Sequence, residues 1–224
     1  MGTISLEQSD SLYWLGRYAE RVYSTLSLFN RYYDRMIDGD ANAYAEYCER
    51  LTIPNIYKSP EDFVERYLFA PDNPDSIYSN MSRAYDNAII LRESISSLAL
   101  SYIQMALDTL ASGRAVESHL LLSFRVQDDL LAFWGAIDDR CADQERRNIL
   151  KIGKHLERLD MYLRLSQPRA DIMQAFRKLQ RRLDGSRIPH RDEEIAAAER
   201  LLMKPGELEQ DPLQVLTHVE RIVG

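Results

Sequence analysis

Two octapeptides share one pattern, Leu15-Gly-Arg-Tyr-Ala-Glu-Arg-Val22 and Ile152-Gly-Lys-His-Leu-Glu-Arg-Leu159: apolar, Gly, base, ring, apolar, Glu, Arg, apolar. These residue types suit two kinds of chemistry. Guanidinium groups such as Arg17, Arg21, Arg92 and Arg158 hold carboxylates through paired N–H donors. Carboxyls such as Glu20, Glu93 and Glu157 serve as general acid and base when burial separates their pKa values. The same convergence of Arg and Glu also makes a charge-balanced network that fixes helix register and reacts with nothing. The residues alone leave structural, binding and catalytic roles open, and no recognisable nucleophile–base pair accompanies them.

Metal chemistry fits poorly. A di-iron bundle site uses Glu-x-x-His on two helices, and His119, His155, His190 and His218 stand in no such spacing. His155 lies two residues before Glu157, about 200° away around a helix. Neither metal nor cofactor is expected. Asp138, Asp139 and Asp143 read as a solvated helix end. Asp128 and Asp129, within an apolar stretch, read as buried carboxylates in need of a partner such as a motif arginine.

The elements that position these residues are helices. Leu12, Leu15, Ala19, Val22, Leu26, Phe29, Tyr33 and Met36 alternate by three and four. With Ser5 as N-cap, Gln8 at N3 and Gly39 as stop, they define a helix over residues 5–37. Arg17, Glu20 and Arg21 lie on the back of that seam, as Lys154, Glu157 and Arg158 do on theirs. Tyr13 and Trp14 share this back face, which a solvated face rarely carries together. Gly16 and Gly153 sit in helix interiors at a cost of roughly 1 kcal/mol each relative to alanine. A second packing layer with close helix approach is the expectation.

Further along, Ala41–Leu51 and a segment launched by Ser59-Pro60-Glu61-Asp62 read as short helices. One long helix is expected over 74–111, bent near Ser94–Ser97. The stretch 116–139 is apolar all round and is expected to be central. Helices over 143–166, 170–183, 192–203 and 212–222 complete an all-α fold, an antiparallel bundle of about four long helices with additional short ones. No composition shift marks a linker, so residues 1–224 read as one domain.

The net charge is −7. It argues against nucleic-acid binding and against an anionic membrane surface. No run approaches the ~20 apolar residues of a membrane span. The N-terminal residues lack the basic and apolar regions of a signal peptide, and Leu6 spoils a myristoylation motif. Two cysteines, Cys48 and Cys141, make no disulfide framework and fit a reduced, cytoplasmic setting. The clustered tyrosines Tyr32, Tyr33, Tyr44, Tyr47 and Tyr57 read first as core.

Ser11-Leu-Tyr-Trp-Leu-Gly-Arg-Tyr-Ala-Glu-Arg21 resembles the N-terminal signature of the alpha-E domain family, all-helical and named for its Glu-Arg motif. Asn73–Ile77 and Ala84–Ser96, with Asn87, Arg92, Glu93 and Ser96, resemble its middle signature. Ile152–Asp160, with Gly153, Glu157, Arg158 and Asp160, resembles its third. The likeness covers about residues 5–166 and departs where Leu98 and Leu100 replace an acidic residue and a tryptophan; residues 167–224 read as a helical extension. Together with the repeated octapeptide it gives an expected polar cluster, a largely buried layer between the three signature helices, of Arg17, Glu20, Arg21, Asn87, Arg92, Glu93, Lys154, Glu157, Arg158 and Asp160. It also implies association with circularly permuted ATP-grasp ligases or transglutaminase-like proteins that make or process peptide-like amide bonds. The chain is then expected to be a non-catalytic binding or scaffold component, with an acid–base enzyme acting on a peptide or amino-acid-like substrate as the alternative.

Overall fold

The structure, a computed structural model, describes residues 4–113, 118–204 and 212–223. Among these residues the fold is all-α: α1 Leu6–Ile37, α2 Ala43–Leu51, α3 Pro60–Phe69, α4 Ile77–Ile90, α5 Ser97–Ser112, α6 His119–Arg140, α7 Gln144–Arg164, α8 Arg169–Asp184, α9 Asp192–Met203 and α10 Pro212–Val219. They gather into two compact units, one drawn from residues 1–17 and 143–224, the other from 18–142. The first turns of α1 belong to the former unit and the remainder to the latter.

Local chemistry sets most boundaries. Ser5 Oγ accepts the Gln8 N–H at 3.2 Å and starts α1. Gly39, at φ +98°, ends it, with its own N–H on Met36 O (3.1 Å) and the Asp40 N–H on Arg35 O (3.0 Å). This is a Schellman stop, in which glycine takes the left-handed position without a Cβ penalty. Ser59 and Asp143 cap α3 and α7 through the N–H groups of Asp62 and Arg146.

The long helix expected over 74–111 is instead two. Ser76 caps α4, which stops at Ile90, and Leu91–Ser96 form a turn before α5. Ser96 adopts φ +76° and its hydroxyl accepts the Ala99 N–H at 3.3 Å. The serines around this point offer the backbone side-chain partners that compete with a continuing helix. Leu91 and Ile95 stay buried through the turn, which is why the three-four rhythm runs on without marking the break.

In the unit of residues 18–142, α1, α2 and α3 enclose an aromatic core. Phe63 lies within 6.1 Å of the ring centres of Phe29, Tyr44, Tyr47, Tyr57 and Tyr67. The Tyr47 and Tyr67 hydroxyls meet at 2.8 Å, and Tyr47 Oη also lies 3.0 Å from Thr25 O. Tyr32, Tyr47 and Tyr57 are buried and thus serve the core as expected, while Tyr33 and Tyr44 are half-buried.

Helix α6 departs from expectation twice. It is not central all round, since Leu121, Phe124 and Leu131 stand exposed. The two residues with which it was expected to begin, 116 and 117, lie outside the described residues. Nor does it bury Asp128 and Asp129; Asp128 is exposed and Asp129 half-buried. The buried polar residue is their neighbour Gln127, an uncharged amide that donates to Ser27 Oγ (2.6 Å) and Tyr23 O (3.3 Å) and accepts from Asn30 (3.3 Å). A neutral amide satisfied on both ends is far cheaper to bury than a carboxylate.

In the other unit, α7 and α8 form an antiparallel hairpin. Asn148 accepts from Arg182, and Glu145 accepts from Ser186 Oγ and the Arg187 N–H. Ile172, Ala175, Phe176, Leu179 and Leu183 form the buried stripe of α8. Among the described residues after 166 the chain forms α8, α9 and α10, and α8 is packed on motif helix α7. Among the described residues no helix is long and apolar enough to cross a membrane. Both cysteines are buried, and burial pushes the Cys48 thiol up to about 11.

Replacing Ser96 by alanine removes the α5 cap and is expected to cost about 1 kcal/mol in denaturant unfolding, with little change in helical circular dichroism. A cost within measurement error would show that Ser96 does not cap α5.

Candidate functional site

The two motif glycines meet in the first unit, where the start of α1 crosses α7. A Cβ on Gly16 would overlap the Leu150 carbonyl oxygen and lie 3.0 Å from Lys154 N. A Cβ on Gly153 would overlap the Tyr13 carbonyl oxygen and lie 3.1 Å from Arg17 N. The contact is reciprocal: each glycine faces the carbonyl three residues before the other glycine and the amide one residue after it. Within this unit the glycine-bearing ends of the two octapeptides thus pack backbone to backbone in a reciprocal contact. The repeated interior glycine marks this approach, as its helix-propensity cost implied.

The crossing positions a charged network beside it. Arg17 Nε donates to Glu157 Oε2 at 2.6 Å, and its Nη2 lies 4.0 Å from Asp160 Oδ2. Arg17 Nη1 donates to Tyr13 Oη at 3.2 Å, one helical turn back. The indole of Trp14 lies 5.6 Å from the guanidinium carbon. Arg164 Nε donates to Asp160 Oδ1 at 2.7 Å, and its Nη2 reaches Glu220 Oε1 at 3.0 Å. On α7 the spacing 153, 157, 160, 164 holds glycine, both carboxylates and the second arginine on one face. Tyr13 and Trp14 explain themselves here: one hydrogen-bonds the buried guanidinium and the other covers it.

Burial makes these charges consequential. Glu157 is fully buried, Asp160 nearly so, and the Arg17 side chain is 12% exposed. Burial works against the Arg17 charge, yet Glu157 and Tyr13 raise its pKa above the usual arginine range. Burial, and then the neighbouring Glu157 charge, raise the Asp160 carboxyl above its ordinary value against the pull of Arg164 and Arg17. Removing one member of such a network strands its partner, at about 3–5 kcal/mol.

The remaining expected residues are distributed as follows. Glu20 is fully buried on α1 in the second unit and accepts from Ser24 Oγ at 3.2 Å, and Arg21 beside it is half-buried. Asn87, half-buried near the end of α4, donates to Arg83 O at 2.8 Å. Arg92 and Glu93 stand exposed on the turn between α4 and α5 rather than in a buried layer, because the helix ends before them. Lys154 and Arg158 are half-buried on α7. The structure thus brings Arg17, Glu157 and Asp160 together. Sequence reasoning missed Arg164, although its four-residue offset from Asp160 is the ordinary signal for a helical ion pair.

It also missed His155 as a buried residue. Only 8% of it is exposed, and its Nδ1 has no hydrogen-bond partner among the described residues. Burial, with Lys154, Arg158, Arg182 and Lys178 nearby, pulls its pKa down to about 3. The imidazole is therefore a neutral ring among cations. Among the described residues, no three His, Cys, Asp or Glu side chains are grouped so as to hold a metal ion.

A family model, Alpha-E, described as a predicted alpha-helical domain with a conserved ER motif, matches residues 8–190. The match runs past residue 166 and takes in α8, the helix packed on α7. No curated protein and no solved structure matches the chain.

Two outcomes follow from this geometry. Gly16→Ala and Gly153→Ala would each gain roughly 1 kcal/mol from helix propensity alone. The backbone overlap reverses that sign, and each is expected to lose about 3 kcal/mol or more in chemical unfolding. Stabilisation by either would remove the close approach. For His155, the unfolded chain takes up a proton near pH 6.5 while the folded chain resists until about pH 3. Stability is therefore lost as pH falls through that window. His155→Gln should flatten the fall between about pH 6 and pH 4, and an unchanged slope would contradict the buried neutral ring.

Proposed function

The chain belongs to the Alpha-E family, and from that membership we propose that it is a non-catalytic binding or scaffold component of an ATP-grasp-ligase-associated system that makes or processes peptide-like amide bonds. The observation that carries this reading is the internal pairing of the motif charges. Glu157 and Asp160 are engaged by Arg17 and Arg164. Both carboxyls are buried away from solvent. Carboxyls held this way fix helices, whereas acid–base catalysis needs a carboxyl within reach of a substrate proton.

Exposed apolar side chains also support a partner. Leu98 and Met105 on α5, with Leu121, Phe124 and Leu131 on α6, are large apolar side chains left exposed. Exposed apolar side chains that gather into a patch mark an interaction site. The partner class that the family likeness brings is a circularly permuted ATP-grasp ligase or a transglutaminase-like protein. A chain with two buried cysteines and no disulfide framework in its sequence supports a reduced, cytoplasmic setting for that assembly.

Affinity capture from the native host should retain such a ligase with the wild-type chain. A Phe124→Glu/Leu131→Glu variant should retain at least about tenfold less. Repeated capture without any ligase counts against the reading. In the reconstituted pair, a folded Glu157→Gln chain should support amide formation within about threefold of wild type. A loss of about 10²–10⁴ with binding intact would assign acid–base catalysis to this cluster instead.

A further inference from the structure

An open cleft of about 580 Å³, within the range of small-molecule sites, is lined by α8, α9 and the connection between them. All of it belongs to the first unit. Arg177 and Arg181 stand one turn apart on α8, with Asp184 at that helix's end. Asp192 and Glu199 come from α9, and His190 from the connection. Two guanidiniums and three carboxylates therefore share one cavity.

These charges do not neutralise one another. Among the described residues, neither Arg177 nor Arg181 has a carboxylate within 4.0 Å, and Asp184 and Glu199 have no cation within that distance. Asp192 approaches only His190, Nε2 to Oδ1 at 3.3 Å. Arg181 turns its Nε back to the Arg177 carbonyl oxygen at 3.3 Å, which leaves its Nη groups uncommitted. The contrast with the crossing of α1 and α7 is direct, since there every charge that defines the network meets an opposite one.

A cavity with separate, unpaired charges of both signs discriminates among ligands by their charge pattern. A simple anion finds the arginines but also three carboxylates. A simple cation finds the carboxylates but also two guanidiniums. A ligand with both charges satisfies both sets, and the guanidinium fork is the group best shaped for its carboxylate. We propose that the α8–α9 cleft binds a zwitterionic amino acid or short peptide, its carboxylate on Arg177 and Arg181 and its ammonium among Asp184, Asp192 and Glu199. The site lies apart from the motif residues and stands independently of the ligase-partner reading. Its charged groups are solvated, so binding is expected on the order of millimolar.

Heteronuclear NMR titration of the full chain alone tests this, with trialanine, N-acetyl-trialanine, trialanine amide and inorganic phosphate as probes. Trialanine should give saturable shifts confined to α8 and α9, and blocking either terminus should weaken binding at least about tenfold. In Arg177→Gln/Arg181→Gln, amidating the C-terminus should no longer matter. In Asp184→Asn/Glu199→Gln, acetylating the N-terminus should no longer matter. All four side chains are exposed, so the variants should keep the wild-type spectrum elsewhere. The proposal is overturned if trialanine produces no saturable shifts at the cleft up to about 50 mM, well above a millimolar constant. It is equally overturned if blocked peptides or phosphate bind as well as free trialanine.

Discussion

Gly16 and Gly153 let two helical backbones touch, and the site-bearing unit depends on that contact. Each glycine occupies the space where any other residue would drive a Cβ into a carbonyl oxygen of the facing helix. With the backbones this close, side chains that flank the glycines are committed to one another over a short distance. Arg17 therefore reaches Glu157 at 2.6 Å, and Tyr13 and Trp14 fold over the same guanidinium. The reciprocity of the contact explains why one octapeptide recurs. Both partners in a near-symmetric crossing need the same glycine at the same place.

The charge network follows from the crossing. Burying a guanidinium beside two carboxylates is costly, and the pairing offsets that cost only while all members stay in place. Arg164 and Glu220 extend the alternation of charges to the segment after α10. Such a network contributes specificity of register more than net stability. It also rejects misalignment, because a shift of one residue along α7 would leave Glu157 buried without its arginine.

The sequence announced what depends on local chemistry. Ser5, Ser59 and Gly39 start and stop their helices as their types suggest. The interior glycines announced close approach, though not to what. The break at Leu91–Ser96 was hidden because Leu91 and Ile95 remain buried on either side of it, so periodicity reports the face and not the continuity of the backbone. Arg92 and Glu93 were consequently placed in a buried layer when they stand on an exposed turn. The apolar run in α6 overstated burial, with Leu121, Phe124 and Leu131 outside. Partners far apart in sequence, such as Arg17 with Glu157, were legible as types and not as a pair, since composition carries no distance.

The proposed role, a component that holds and binds, rests on the motif charges being coupled to one another. A double-mutant cycle with Arg17→Met and Glu157→Leu, singly and together, measures that coupling in denaturant unfolding. The account predicts a coupling energy of about 2 kcal/mol or more, with the double variant more stable than the sum of the single losses allows. A coupling below about 0.5 kcal/mol, the value expected of independent sites, would contradict it.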